Sequence, residues 1–226
     1  MISDVWEVRM FWSRSAASVL IVASIVPTRP VAGQVIVSQV GVATGATMPT
    51  GAYHTGSLGG FNVGWQGMAL VGFKLSGSPV GLRLDVTYGT NRANDQFKAI
   101  YQGSTGRPTD ETSKLLGANV DLSVALPSSS RLKPYLLGGI GVYHATISMT
   151  ESLAPSADTS ESTFAWNVGG GISYSLPSVA LFVEGRFVDV TGGLGYSCPL
   201  ATSCPRQSGP QSTFVPITAG VTFGVR

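Results

Sequence analysis

The sequence predicts an all-β fold: a closed, antiparallel, eight-stranded β-barrel that crosses a membrane on its strands. Three observations carry that expectation. Segments of strand length alternate between apolar and small polar residues. The connections between them alternate between short and long. Charge is scarce, with Asp, Glu, Lys and Arg making up 12% of the 226 residues against the usual quarter or so of a soluble domain. A positive mean hydropathy of +0.25 points the same way. A chain of this length suits one all-β domain. Its net charge of +2, carried by scattered basic residues, gives no electrostatic case for nucleic-acid binding.

The first 33 residues stand apart from the barrel. Arg9 and Arg14 precede the apolar run Ala16–Val26, and Val31, Ala32 and Gly33 are small. That order is the pattern of an export signal, with cleavage expected before Gln34 and Met10 as an alternative start. The run is shorter than the ~20 apolar residues a spanning helix needs, and Pro27 and Pro30 follow it. The barrel domain is therefore expected over residues 34–226.

Eight strand segments follow in order: Gln39–Met48, Phe61–Leu75, Val80–Thr90, Lys114–Leu126, Pro134–Ile147, Thr163–Leu176, Val179–Val190 and Thr213–Val225. The first carries a weak pattern. The second sets Phe61, Val63, Trp65, Gly67, Ala69, Val71 and Phe73 against Asn62, Gly64, Gln66, Met68, Leu70, Gly72 and Lys74. The third sets Val80, Leu82, Leu84, Val86 and Tyr88 against Gly81, Arg83, Asp85 and Thr87. The fourth sets Leu116, Val120, Leu122 and Val124 against Asn119, Asp121 and Ser123. The fifth is ambiguous, because glycine and apolar residues fall on both parities. The sixth sets Phe164, Trp166, Val168, Ile172 and Tyr174 against Asn167, Gly169, Gly171 and Ser173. The seventh brings Glu184 and Arg186, and the eighth sets Val215, Ile217, Val221 and Phe223 against Thr218, Gly220 and Thr222.

The connections sort by end. Ser76–Pro79, the stretch before Pro134 and Pro177–Ser178 are short and rich in Ser, Pro and Gly, the composition of tight turns. Pro49–Gly60, Asn91–Ser113, Ser148–Ser162 and Thr191–Ser212 are long. Short periplasmic turns and long external loops are the asymmetry of an outer-membrane barrel, and a β-sandwich has no reason to show it.

In such a barrel the apolar parity meets lipid and the polar parity lines the interior. The polar parity here is small as well as polar, which suits a narrow lumen filled by side chains. A soluble barrel would instead carry far more outward charge and bury Trp65 or Trp166 in its core. Aromatic residues bracket the apolar faces: Phe61 and Phe73, Phe164 and Tyr174, with Phe223 in the closing strand. Ten residues at about 3.3 Å each, tilted by about 40°, span about 25 Å, the height of the apolar band between aromatic girdles.

At "KPYLLGGIGVYHATI", "FAWNVGGGISYSL" and "VALFVEGRF" the chain resembles the eight-stranded outer-membrane β-barrel family, which includes the membrane domain of outer-membrane protein A and the opacity proteins. The terminal "FVPITAGVTFGVR" looks like the family's closing strand. The resemblance implies outer-membrane lipids and the barrel-assembly machinery as partners, the latter through that strand. Such strands commonly end on an aromatic residue, whereas Gly224, Val225 and Arg226 follow Phe223 here. Either the register ends at Phe223 with a short tail, or recognition by the machinery is weaker.

The candidate site residues are few. Arg83, Asp85, Asp121, Glu184 and Arg186 are placed in the lumen, where unpaired charges would be costly and pairing is expected. Cys198 and Cys204, both followed by proline, are expected to close a loop disulfide in an oxidising compartment. His144, Ser148 and Glu151 could form a hydrolytic set at the external end of the fifth strand, but spacing along one strand supports that weakly. No cofactor motif, phosphate loop or metal-ligand cluster stands out. The expectation is a non-enzymatic envelope protein, giving structure, surface contact or adhesion through the loops Asn91–Ser113 and Thr191–Ser212. A narrow channel for small solutes is the second reading, a lipid-modifying hydrolase the third. Composition names no external partner.

Overall fold

The computed structural model describes residues 35–55, 60–75, 77–106, 108–151, 157–191 and 212–225. The expected export signal, and the pair Cys198 and Cys204, lie outside them. Eight strands, β1 (Val35–Thr50), β2 (Gly64–Leu75), β3 (Val80–Arg92), β4 (Thr109–Ala125), β5 (Leu132–Glu151), β6 (Ala157–Ser175), β7 (Val179–Val190) and β8 (Ser212–Gly224), pair in sequence order. The barrel closes where β1 meets β8, and every neighbouring pair is antiparallel. Closure leaves no sheet edge, so each backbone amide in hydrocarbon finds a partner within the barrel. Two short helices, α1 (Ala52–Thr55) and α2 (Asp95–Thr105), belong to the first two external connections.

The pleat places side chains as the alternation predicts. Val86, Leu122, Leu136, Ile140, Val142, Val168, Leu181 and Val183 are all about half exposed on the outer face. On β5 the outward residues change from Ile140 and Val142 to His144 and Thr146, which marks the external limit of the apolar belt. From Leu132 to Val142 the belt runs ten residues, again about 25 Å along the membrane normal for a tilted strand. Trp65 and Tyr88 stand near the same external limit, their rings 6.5 Å apart and edge-on. Trp65 Nε1 donates to Thr44 Oγ1 at 2.7 Å, so an apolar ring carries a satisfied polar tip where lipid meets water.

Several strands outrun the expected segments. The connection expected over Ser148–Ser162 is mostly strand, because β5 and β6 keep pairing from Val142↔Phe164 up to Met149↔Ala157. β4 joins them, with Thr109 opposite Glu151. A three-stranded ribbon thus rises above the belt. Its outward residues are Thr112, Lys114, Thr146, Ser148, Ser160 and Ser162, polar groups that show no apolar alternation and so give a sequence reader no strand signal.

Phe61 corrects the expected girdle. It lies before β2, in an isolated bridge with Ala93, and is 2% exposed inside the barrel mouth. Val63 and Trp65, 61% and 51% exposed, hold the outer face there instead. The chain turns inward ahead of the strand, so Phe61 packs 5.0 Å from the Tyr53 ring rather than against lipid. Phe164, Tyr174 and Phe223 are exposed on the outer face, and Phe73 is half-buried near the turn that follows β2.

Candidate functional site

The inward side chains form three layers along the barrel axis. The middle layer is charged. Arg83 and Asp85 come from β3, Asp121 from β4, and Glu184 and Arg186 from β7; all are at most 6% exposed. Arg83 and Asp121 sit opposite each other in the β3–β4 register, but they do not choose each other as partners. Arg83 reaches across the lumen and grips Glu184 with both terminal nitrogens, at 2.6 and 3.1 Å. Its Nε lies 3.4 Å from Asp85. Arg186 donates from Nε to Glu184 at 2.6 Å, from Nη1 to Asp121 at 2.9 Å, and from Nη2 to Asp85 at 2.7 Å.

Neutral groups complete the layer. Asn119 Nδ2 donates to Asp85 at 2.9 Å, Asn167 Nδ2 to Asp121 at 2.8 Å, and the Tyr135 hydroxyl to Glu184 at 2.8 Å. Every carboxylate oxygen of the layer accepts at least one hydrogen bond. That is the condition under which charge can persist in a low-dielectric interior. Glycine provides the space: a Cβ on Gly139 would collide with the Val120 carbonyl and the Asp121 carboxylate, and one on Gly169 with the Arg186 backbone. Asn119, Asn167 and Tyr135 share the inward parity, so their position was readable from the alternation. Their role as hydrogen-bond partners was not, because it depends on rotamers.

The external layer is an apolar plug. Tyr53 of α1 folds into the mouth and packs with Phe61, Leu115, Tyr143, Ile147, Val188 and Phe214. The Tyr143 and Phe214 rings meet edge-on at 5.8 Å, and the Tyr53 hydroxyl donates to Ser113 at 3.0 Å. Asn94 ties the two helical connections over the plug. Its Oδ1 caps α2 through the Phe97 amide at 2.9 Å and also accepts from Gly60 N, while its Nδ2 donates to the His54 carbonyl. Glu111, on the β4 extension above the belt, is fully buried, with no hydrogen-bond partner on either oxygen. Burial raises its carboxyl to about 7. Sequence reading missed the plug, since Tyr53 lies in a stretch with no periodic pattern.

The third layer, at the short-turn end, is an open vestibule of about 490 Å³ bordered by Ser38, Lys74, Ser123, Lys133, Tyr135 and Ser173, among others.

His144 and Ser148 of the expected hydrolytic set are not brought together. His144 faces outward and its Nδ1 lies 2.8 Å from Ser162 Oγ, while Ser148 is four residues along the strand, about 13 Å away at strand rise. Among the described residues no cluster of three His, Cys, Asp or Glu could hold a metal ion. The acids and bases of the charged layer hold one another, so the arrangement can brace the barrel.

Residues 18–191 match the sequence profile of the outer membrane protein beta-barrel domain. Among solved structures, Neisserial surface protein A shares 16% identity at a TM-score of 0.51, over 85% of this chain and 99% of its own. A major outer membrane protein from Thermus thermophilus shares 13% identity at a TM-score of 0.53, over 83% of this chain and 99% of its own. At those identities the likeness speaks for the fold alone. No curated protein sequence matches the chain.

Proposed function

The chain belongs to the outer membrane protein β-barrel family, and from that premise we propose that it is a non-conducting, non-enzymatic protein that works through its external surface. One observation supports this reading above the others: the lumen is crossed twice. Arg186 alone bridges carboxylates on β3, β4 and β7, and the Tyr53–Phe214 plug lies above it. A hydrated ion moving along the axis would have to break charge-assisted bonds and then enter a dry aromatic cluster, each a cost of several kcal/mol. A rigid barrel so filled suits the presentation of loops. The surface presented is the polar ribbon of β4, β5 and β6 together with α2, on which Ile100 is exposed.

On the same reading, outer-membrane lipid covers the apolar belt, and the assembly machinery reads β8, whose Phe223 is exposed on the outer face. Two measurements test the proposal together. In planar bilayers the purified chain should give a flat current trace; steady unitary steps would overturn the non-conducting reading. Producing cells should lose attachment to a solid or cellular surface when residues 95–105 are replaced by a Gly-Ser linker. Attachment equal to that of wild type would overturn the surface-contact reading.

A further inference from the structure

The vestibule at the short-turn end carries a charge pattern that bracing does not explain. Lys74 continues the inward row of β2, after Gln66, Met68, Leu70 and Gly72, and Lys133 opens the inward row of β5. Both border the same recess of about 490 Å³, and Arg83 contributes to its floor. Among the described lining residues none is Asp or Glu. The nearest carboxylate of the charged layer, Glu184, is 1% exposed and already held by Arg83, Arg186 and Tyr135. Among its described lining residues the recess therefore presents two exposed ammonium groups and no carboxylate.

The remaining lining mixes apolar side chains, Leu70, Leu82 and Phe182 among them, with hydroxyl groups such as Ser38, Ser123 and Ser173. Ser38 Oγ donates to the Gly72 carbonyl at 3.1 Å and Ser173 Oγ to the Lys133 carbonyl at 3.3 Å. With their protons so committed, these two oxygens can only accept from a further partner such as a ligand hydroxyl. Ammonium donors for an anion and hydroxyl acceptors for alcohols thus face one volume, which lies within the ordinary range of small-molecule sites.

We propose that the periplasmic vestibule binds a small hydroxylated oxyanion, such as a sugar phosphate or sugar acid, with Lys74 and Lys133 holding the anionic group. This site is independent of the external surface, so it stands or falls separately from the surface-contact reading. Isotope-labelled folded chain in zwitterionic micelles is titrated with glucose 6-phosphate, glucuronate and glucose, and amide and lysine resonances are followed. At least one of the two anions should shift Lys74, Lys133 and Ser123 saturably, and which one does so distinguishes phosphate from carboxylate. Glucose should leave them still. The double variant Lys74→Gln/Lys133→Gln should bind about tenfold more weakly or worse, the loss expected when charged hydrogen bonds are removed. No saturable shift from either anion, an equal response to glucose, shifts confined to the external residues, or unchanged binding by the double variant would overturn the proposal. Should that variant fail to fold, wild type at high salt decides: weakened anion binding is expected, and salt-independent binding contradicts it.

Discussion

Arg186 donates from all three of its nitrogens to three carboxylates on three strands. Glu184 is the acid shared by both guanidiniums. Removing it leaves Arg83 and Arg186 short of partners in a dry interior, which costs about 3–5 kcal/mol. Glu184→Ala should therefore lower the midpoint of heat-modifiable gel mobility by about 10 °C, while Gln96→Ala on exposed α2 should move it little. Equal midpoints for the two variants would show that the charged layer does not hold the barrel. At this scale the sequence was informative through its period of two. That period alone placed Arg83, Asp85, Asp121, Glu184 and Arg186 on the inner face, since a strand offers only two faces. It could not choose partners: Arg83 lies opposite Asp121 in register yet bonds to Glu184 across the lumen. Phe61 shows the other failure, because parity means nothing once a residue leaves the strand.

The strands themselves were legible wherever one face met lipid. β7 begins and ends at the expected residues, whereas β4, β5 and β6 run several residues beyond theirs. The added stretches 109–113, 148–151 and 157–162 are mostly polar on both parities, so they lack the apolar contrast that marks a strand. The extension positions Glu111. Burial raises its carboxyl from an ordinary 4.5 to about 7. A raised folded-state value means its contribution to stability is full below about 4.5 and is lost as pH rises through about 7. Amide protection factors at Leu115 and Phe214, corrected for intrinsic exchange, should therefore fall between pH 5 and pH 8. In Glu111→Gln, which stays neutral, they should hold constant over that range. A pH-independent wild type, or a variant that keeps the wild-type slope, would rule this out.

For the whole molecule, one inversion organises the rest: aliphatic rows outward, charge inward. Low charge content, alternating loop length and small polar residues on one parity all reported it, because each follows from a barrel surrounded by hydrocarbon and narrow enough to be filled. What closes the lumen externally was not legible, since α1 and the plug arise from contacts between connections distant in sequence. The inversion can be measured directly with spin labels placed singly on β5 and β7, in a background carrying Cys198→Ser and Cys204→Ser, in lipid vesicles. Labels at Leu136, Ile140, Val142, Leu181 and Val183 should collide with membrane-dissolved oxygen and be shielded from a water-soluble relaxant. Labels at Leu137 and Phe182 should meet far less oxygen. Oxygen contact at Leu137 and Phe182, with Leu136, Ile140 and Val183 shielded from it, would mean the aliphatic rows face one another instead of lipid.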